Sequence, residues 1–382
     1  MSEYIKKTLQ ELMDDELSQM NLPSEFGTLK SFINDGKKSA EFIRYILEDK
    51  PYNILKNSSP LYETSELRAR HSAVTFLLGL VFKKFGDLFT SIPSIININY
   101  DIEQAQNMWL ITSLYHDKAY SSKHLKDPAF DIRKKFSPFL LEDEFQDNLS
   151  PLYEYSIRYP KTLAYTYEEI LSYDEYAIEY HRAKNNDAEK RDHGILGGVM
   201  MFSDLAKKAE KSGRSNELPI IKACSLAVAQ HNIFKSPKGE SDANYPKQLS
   251  KLLSTSSFKI TQNEPLLLFL SLIDTIECVK KLSKGRNVDK YLESLTVLKS
   301  ISVSVQCDCI EIDYSALKKE VLSKNDKELE EVFDSYLDTV SALNTWTTFL
   351  TKFDSSNPCQ CKITLDSEAS LCPKAYDYAM ER

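Results

Sequence analysis

"WLITSLYHDKAY", residues 109–120, is the stretch on which the reading of this chain turns. It opens as an apolar run at helical spacing and closes with an imidazole and a carboxylate side by side, His116 and Asp117. Ionisable groups are costly to bury unless something pairs with them. A His-Asp dipeptide alone says little in a chain with 6 histidines, so the setting of the others decides what the pair is for. His71 lies in "RARHSAVTF" (68–76), His193 in "RDHGILGG" (191–198), His231 in "AVAQHNIF" (227–234) and Asp274 in "LSLIDTIE" (270–277). Each strongly apolar segment therefore carries one or two groups able to hold a metal.

Those segments have the period of buried helices. Residues 61–87, "LYETSELRARHSAVTFLLGLVFKKFGD", place Val74, Leu77, Leu78, Val81 and Phe82 on one face, which predicts a helix. Further helices are predicted over 103–117, 193–211, 218–232 and 264–282. Gly194, Gly197 and Gly198 predict a close helix approach that brings His193 to the site, with Asp192 capping that helix. Before these segments, residues 1–60 carry amphipathic patterns interrupted at Pro23, Pro51 and Pro60. Residues 118–190 are charged and Tyr-rich and read as an insert or cap. After about residue 285 the texture changes again. "ISVSVQCDCIEIDYS" (301–315) and "CQCKITLD" (359–366) alternate as strands do, and the text between them reads as helix. The expected fold is mainly α: an N-terminal helical segment (1–60), a metal-binding helical core (61–285) with a Tyr-rich insert (118–190), and a small α+β segment (286–382).

Composition narrows the function. The chain has 382 residues, 42% of them hydrophobic, and a net charge of −8. That acidity argues against a duplex nucleic-acid partner, whose backbone is held by basic stripes. The early acidic residues and the want of an apolar run among the first residues lead to the expectation of no signal peptide. The longest apolar stretches, 72–82 and 265–273, fall short of the roughly 18 residues needed to span a bilayer. With 7 unevenly spread cysteines, the expected setting is a reducing cytoplasm, with no membrane association; a homo-oligomer is compatible with the sequence. Neither a dinucleotide-type Gly-rich loop nor a P-loop is present.

Four imidazoles and two carboxylates suit two adjacent divalent cations sharing one carboxylate. Such a donor set favours Mn, Fe, Co, Ni or Zn; Mg would want more oxygen. Cys307, Cys309, Cys359 and Cys361 form two C-x-C pairs on predicted strands, the basis for expecting a structural zinc.

The order His71, His116-Asp117, His193, His231, Asp274 resembles the HD-domain metal-dependent phosphohydrolase superfamily, over roughly residues 61–285. His71, His116, Asp117 and Asp274 match its common ligands. His193 and His231 match the additional histidines of its two-metal branch, which includes cyclic-nucleotide and cyclic-dinucleotide phosphodiesterases. "RDHGILGG" and "AVAQHNIF" are similar to segments of bacterial HD proteins. "HDKAY" departs from the H-D-x-G-K of the cyclic-dinucleotide group, and no G-Y-P follows His193. The resemblance implies a helical bundle and hydrolysis of a phosphoester or phosphoanhydride bond in a nucleotide or nucleotide-derived messenger, by a metal-activated hydroxide. Asp117 is then catalytic, and Lys118, Tyr120 and His124 are the candidates for protonating the leaving group. Arg70 beside His71, and Arg158, Lys161 and Arg182 among the tyrosines of the insert, are candidate phosphate contacts. The alternative is a regulatory protein that binds a nucleotide in a catalytically weak pocket.

Overall fold

The computed structural model describes residues 6–49, 66–92, 102–121, 192–214, 217–231, 260, 264–283 and 291–366. Among them, helices α1 (Leu9–Gln19) and α2 (Gly36–Asp49) precede α3 (Glu66–Val81), α4 (Leu88–Ser91) and α5 (Ile102–Tyr115). Then come α6 (His193–Lys211), α7 (Leu218–Gln230), α8 (Pro265–Ile276), α9 (Val279–Leu282) and α10 (Ser294–Lys299). The C-terminal part adds α11 (Ser315–Ser323), α12 (Lys327–Ser341) and α13 (Leu343–Trp346). The strands are β1 (Lys7–Thr8), β2 (Ser302–Val305), β3 (Cys309–Asp313), β4 (Phe349–Phe353) and β5 (Gln360–Leu365). No described helix is long and apolar enough to cross a membrane.

The site is positioned by α3, α5, α6, α7 and α8. Helices α3 and α5 pack together, α7 lies against both α5 and α8, and α6 runs along α7. Close approach requires small residues at the crossings. A Cβ on Gly79 would overlap the Trp109 indole, whose Nε1 donates to Phe76 O at 3.0 Å. That contact fixes α3, which carries His71, against α5, which ends just before His116. At the α6–α7 crossing, a Cβ on Gly194 would stand 2.9 Å from both His231 Nδ1 and Val228 O. One on Gly198 would stand 2.5 Å from Ser225 O. The predicted cap holds: Ile195 N donates to Asp192 Oδ1 at 3.0 Å.

Helix α8 is buried along nearly its whole length. It opens on Pro265, where a missing N–H costs nothing. Every residue of it is buried except Asp274. The sequence predicts one helix over 264–282, but the chain leaves the helix at Glu277, whose backbone is extended. Glu277 Oε1 accepts from Val279 N at 2.7 Å and so restarts the chain as α9. Tyr336 Oη in α12 donates to Ile276 O at 2.8 Å, satisfying a carbonyl freed by the break.

The sheet has the order β1-β2-β3-β5-β4, antiparallel throughout. One of its two edge strands, β1, comes from the N-terminal segment, where Thr8 and Glu11 form a reciprocal cap on α1. N- and C-terminal segments thus share a sheet, and one hydrophobic cluster runs from Leu9 to Ile363. The stretch 301–315 is a hairpin, β2 and β3, with Gln306 N donating to Cys309 O at its turn. The helix expected between the strands is broken at Asn325, which has φ 49°, and Asp326 caps α12. Its last residues belong to β4.

The expected zinc site does not form. Cys309 sits opposite Thr364, and Cys361 sits opposite Ile312, so the two pairs occupy opposite ends of the β3–β5 ladder. At about 3.4 Å per residue the offset is on the order of 10 Å, far beyond shared Zn–S bonds of about 2.3 Å. Cys309, Cys359 and Cys361 are buried free thiols and Cys307 is exposed. Burial pushes the Cys361 thiol up to about 12.

Candidate metal centre

His116 and Asp117 stand just beyond the last turn of α5, which explains the opening dipeptide. Ending the helix there points both side chains into the space between the helices while their backbone stays tied to Thr112 O through His116 N. His71 comes from α3, His193 from the first position of α6, His231 from the end of α7 and Asp274 from α8. Five of these form two groups able to hold a metal ion: His71, His116 and Asp117, and Asp117, His193 and His231. Asp117 belongs to both. Asp274 lies beside the first, its Oδ1 3.5 Å from His71 Nε2 and 3.6 Å from His116 Nε2.

Hydrogen bonds at the outer nitrogens orient the imidazoles. His116 Nδ1 donates to Ser113 O at 2.6 Å, and His231 Nδ1 donates to Val228 O at 2.6 Å. His71 Nδ1 lies 2.7 Å from Glu277 Oε2. A proton on each Nδ1 leaves the lone pair on Nε2, the usual arrangement of a histidine ligand with its supporting acceptor. His71 Nε2 and His116 Nε2 then face one another at 2.9 Å. Two lone pairs at that distance repel unless a proton or a metal ion lies between them. Asp117 is 1% exposed, and its Oδ1 is buried without a hydrogen-bond partner, although His193 Nε2 stands 3.2 Å away, out of alignment. Opposed imidazole lone pairs and an unsatisfied buried carboxylate oxygen fit a divalent cation.

Three residues in the site escaped the sequence reading. Arg68, one helical turn before His71, pairs through Nη1 with Asp117 Oδ2. Lys280 Nζ lies 2.9 Å from the same oxygen. Glu277 supports both His71 and the start of α9. The helical period marks Arg68 and Glu277, which stand three residues from His71 and Asp274 on the same faces. Arg70, chosen for its adjacency to His71, is instead placed with a buried Nε lacking a hydrogen-bond partner. Tyr120 lies in the site: Arg68 Cζ is 3.6 Å from its ring centroid, and the His193 ring is 4.2 Å away. Lys118 turns toward Asp204 at 3.0 Å and toward the Tyr115 ring. His124, Arg158, Lys161, Arg182 and nearly all of the Tyr-rich insert lie outside the described residues.

The charges interact strongly. Burial alone would raise the Asp117 carboxyl, but Lys280 and His116, with His193 and His71, hold it well below the ordinary range. Burial lowers His116, outweighing Asp117 and Asp274. At His71, burial and Lys280 push down, but Glu277 and Asp274 outweigh them and raise it. Burial and then Asp117 raise the Tyr120 phenol, keeping its proton in place.

No family model, curated protein or solved structure matches this chain.

Proposed function

We propose that the protein is an HD-type, metal-dependent phosphohydrolase acting on a nucleotide or nucleotide-derived messenger. The single observation that carries this is the sharing of Asp117 by two ligand groups drawn from separate helices. Divalent cations held by His71, His116, Asp117 and Asp274, and by Asp117, His193 and His231, would supply Lewis acidity and lower the pKa of water at the reacting phosphorus.

The chain's own groups divide the remaining work. Arg68 and Lys280 bring two cations to one edge of the centre, where anionic phosphoryl oxygens bind. The Tyr120 ring supports the Arg68 guanidinium, whose Cζ lies 3.6 Å from the ring centroid, so little order is lost when it binds an anion. Tyr120 retains its phenolic proton and can release it from Oη to a leaving oxygen. Packing of α3, α5 and α8 closes the floor of the site to water.

One observation favours a second reading, a pocket that binds a nucleotide without turnover. Arg68 and Lys280 already balance the Asp117 charge, so the pocket can stand as an anion-binding site by itself. The two are separated by metal analysis of the purified protein and by phosphate release from a panel of nucleoside mono-, di- and triphosphates and cyclic nucleotides. Metal-dependent release supports the hydrolase. Nucleotide binding with no release under any divalent cation supports the binder.

A further inference from the structure

The two carboxylate oxygens of Asp117 have different surroundings. Oδ2 meets the Arg68 guanidinium, His71 Nε2 at 3.3 Å and Lys280 Nζ at 2.9 Å. Oδ1 faces His193 Nε2 at 3.2 Å and His116 Nε2 at 3.8 Å; among the described residues no lysine or arginine pairs with it. The Lys280 ammonium does more than pair with one oxygen. It also lies 3.4 Å from His71 Nε2 and 3.9 Å from Asp274 Oδ1, against three of the four groups of one ligand set. Its backbone is fixed there, since Lys280 N donates to both oxygens of Glu277, the carboxylate that also holds His71.

A cation held by His71, His116, Asp117 and Asp274 would stand within a few ångströms of this ammonium, and like charges so close in a largely buried site repel strongly. The opposite set holds an unsatisfied carboxylate oxygen instead. We propose that the two halves of the centre fill unequally. The half built from Asp117 Oδ1, His193 and His231 takes the first divalent cation. The half built from His71, His116, Asp117 Oδ2 and Asp274 is closed to a second until the Lys280 ammonium moves out, toward the Tyr120 ring 5.9 Å away. Lys280 is thus a resident cation that sets metal stoichiometry. This inference rests on the metal reading above.

The test is titration of the chelator-stripped full-length protein with Mn²⁺ alone, followed by calorimetry and by equilibrium dialysis with metal counting. The wild type is expected to take one ion tightly and a second at least about tenfold more weakly. Lys280→Gln keeps a hydrogen-bond donor to Asp117 and removes the charge. It should tighten the second ion by about tenfold or more and leave the first within about twofold. Lys280→Met provides the same loss of charge if the Gln variant fails to fold, as judged by circular dichroism. His193→Ala should lose the tight ion. Two ions of equal affinity in the wild type, or no change at the weak position in the folded Lys280 variants, overturns the proposal and leaves the metal reading standing. Failure of the wild type and every variant to take up Mn²⁺, Fe²⁺ or Zn²⁺ removes both.

Discussion

His71 Nδ1 and Glu277 Oε2 lie 2.7 Å apart, and both side chains are fully buried. The contact joins α3 to the break between α8 and α9, so one carboxylate orients an imidazole and shapes the backbone that carries Lys280. Glu277→Gln retains an acceptor for Val279 N but weakens the charged support of the His71 tautomer. Metal affinity should fall about tenfold or more while the fold is kept, the usual cost of losing the group behind a histidine ligand. Metal titration alongside thermal unfolding checks both halves of that expectation. Unchanged affinity would show that Glu277 serves the backbone alone.

Under the proposed two-metal reading, Asp117→Ala removes the group common to both ligand sets, so metal should be lost from both positions, whereas His231→Ala should empty mainly one. Sequence reasoning alone expects the fold to tolerate the loss of Asp117, because carboxylate repulsion is relieved. The structure reverses that expectation, because Arg68 and Lys280 lose their common partner in a largely buried setting. The two cations are 16% and 20% exposed, so solvent moderates the cost. A loss of about 2 kcal/mol in metal-free stability is expected. Chemical denaturation in the presence of a chelator measures it, and equal or greater stability would contradict the ion-pair account.

Gly79→Ala tests the crossing that sets His71 against His116. The added methyl falls on the Trp109 indole, a buried ring that also donates to Phe76 O. Overpacking of this kind costs about 1–3 kcal/mol, and here the backbone must shift for any relief. Both stability and metal affinity should drop. If denaturant titration shows a stability change with metal binding intact, the α3–α5 contact holds the fold without setting the ligand geometry.

Helical period and residue type made much of the centre legible. His71, His116, Asp117, His193, His231 and Asp274 could be chosen because each interrupts an apolar helix with a group that resists burial. Their convergence follows from packing those faces together. What adjacency obscured was the second rank of residues. Arg70 stands beside His71 in sequence, yet neighbours on a helix point about 100° apart, and Arg68 at i−3 is the one that shares its face. Lys280 was hidden for a different reason: the helix predicted over 264–282 would have turned it elsewhere, and only the break at Glu277 returns it to the site. The cysteine pairs misled because strand alternation fixes the face of each residue but not the register between strands, and the β3–β5 register separates them.

The last prediction sets Arg68 against Arg70. Under the hydrolase reading, Arg68 is an anion contact resting over the Tyr120 ring and paired with Asp117, while Arg70 touches neither. Arg68→Ala should therefore lower kcat/KM for a phosphate-bearing substrate by about 10²-fold, comparable to the loss of an oriented donor to a developing phosphoryl charge. Arg68→Lys keeps charge but not the planar stacking and paired geometry of a guanidinium, and should recover only part of that loss. Arg70→Ala should leave kcat/KM within about threefold and act, if at all, on stability, where ordinary partly buried substitutions fall within about 0.5–3 kcal/mol. Metal content of Arg68→Ala should not decrease, because the substitution removes a positive charge from beside Asp117. Steady-state kinetics on the substrate identified by the nucleotide panel, with metal counting on the same preparations, decides it. A larger loss in Arg70→Ala than in Arg68→Ala would mean that the substrate enters from the opposite face of α3 and that Arg68 serves only to balance Asp117.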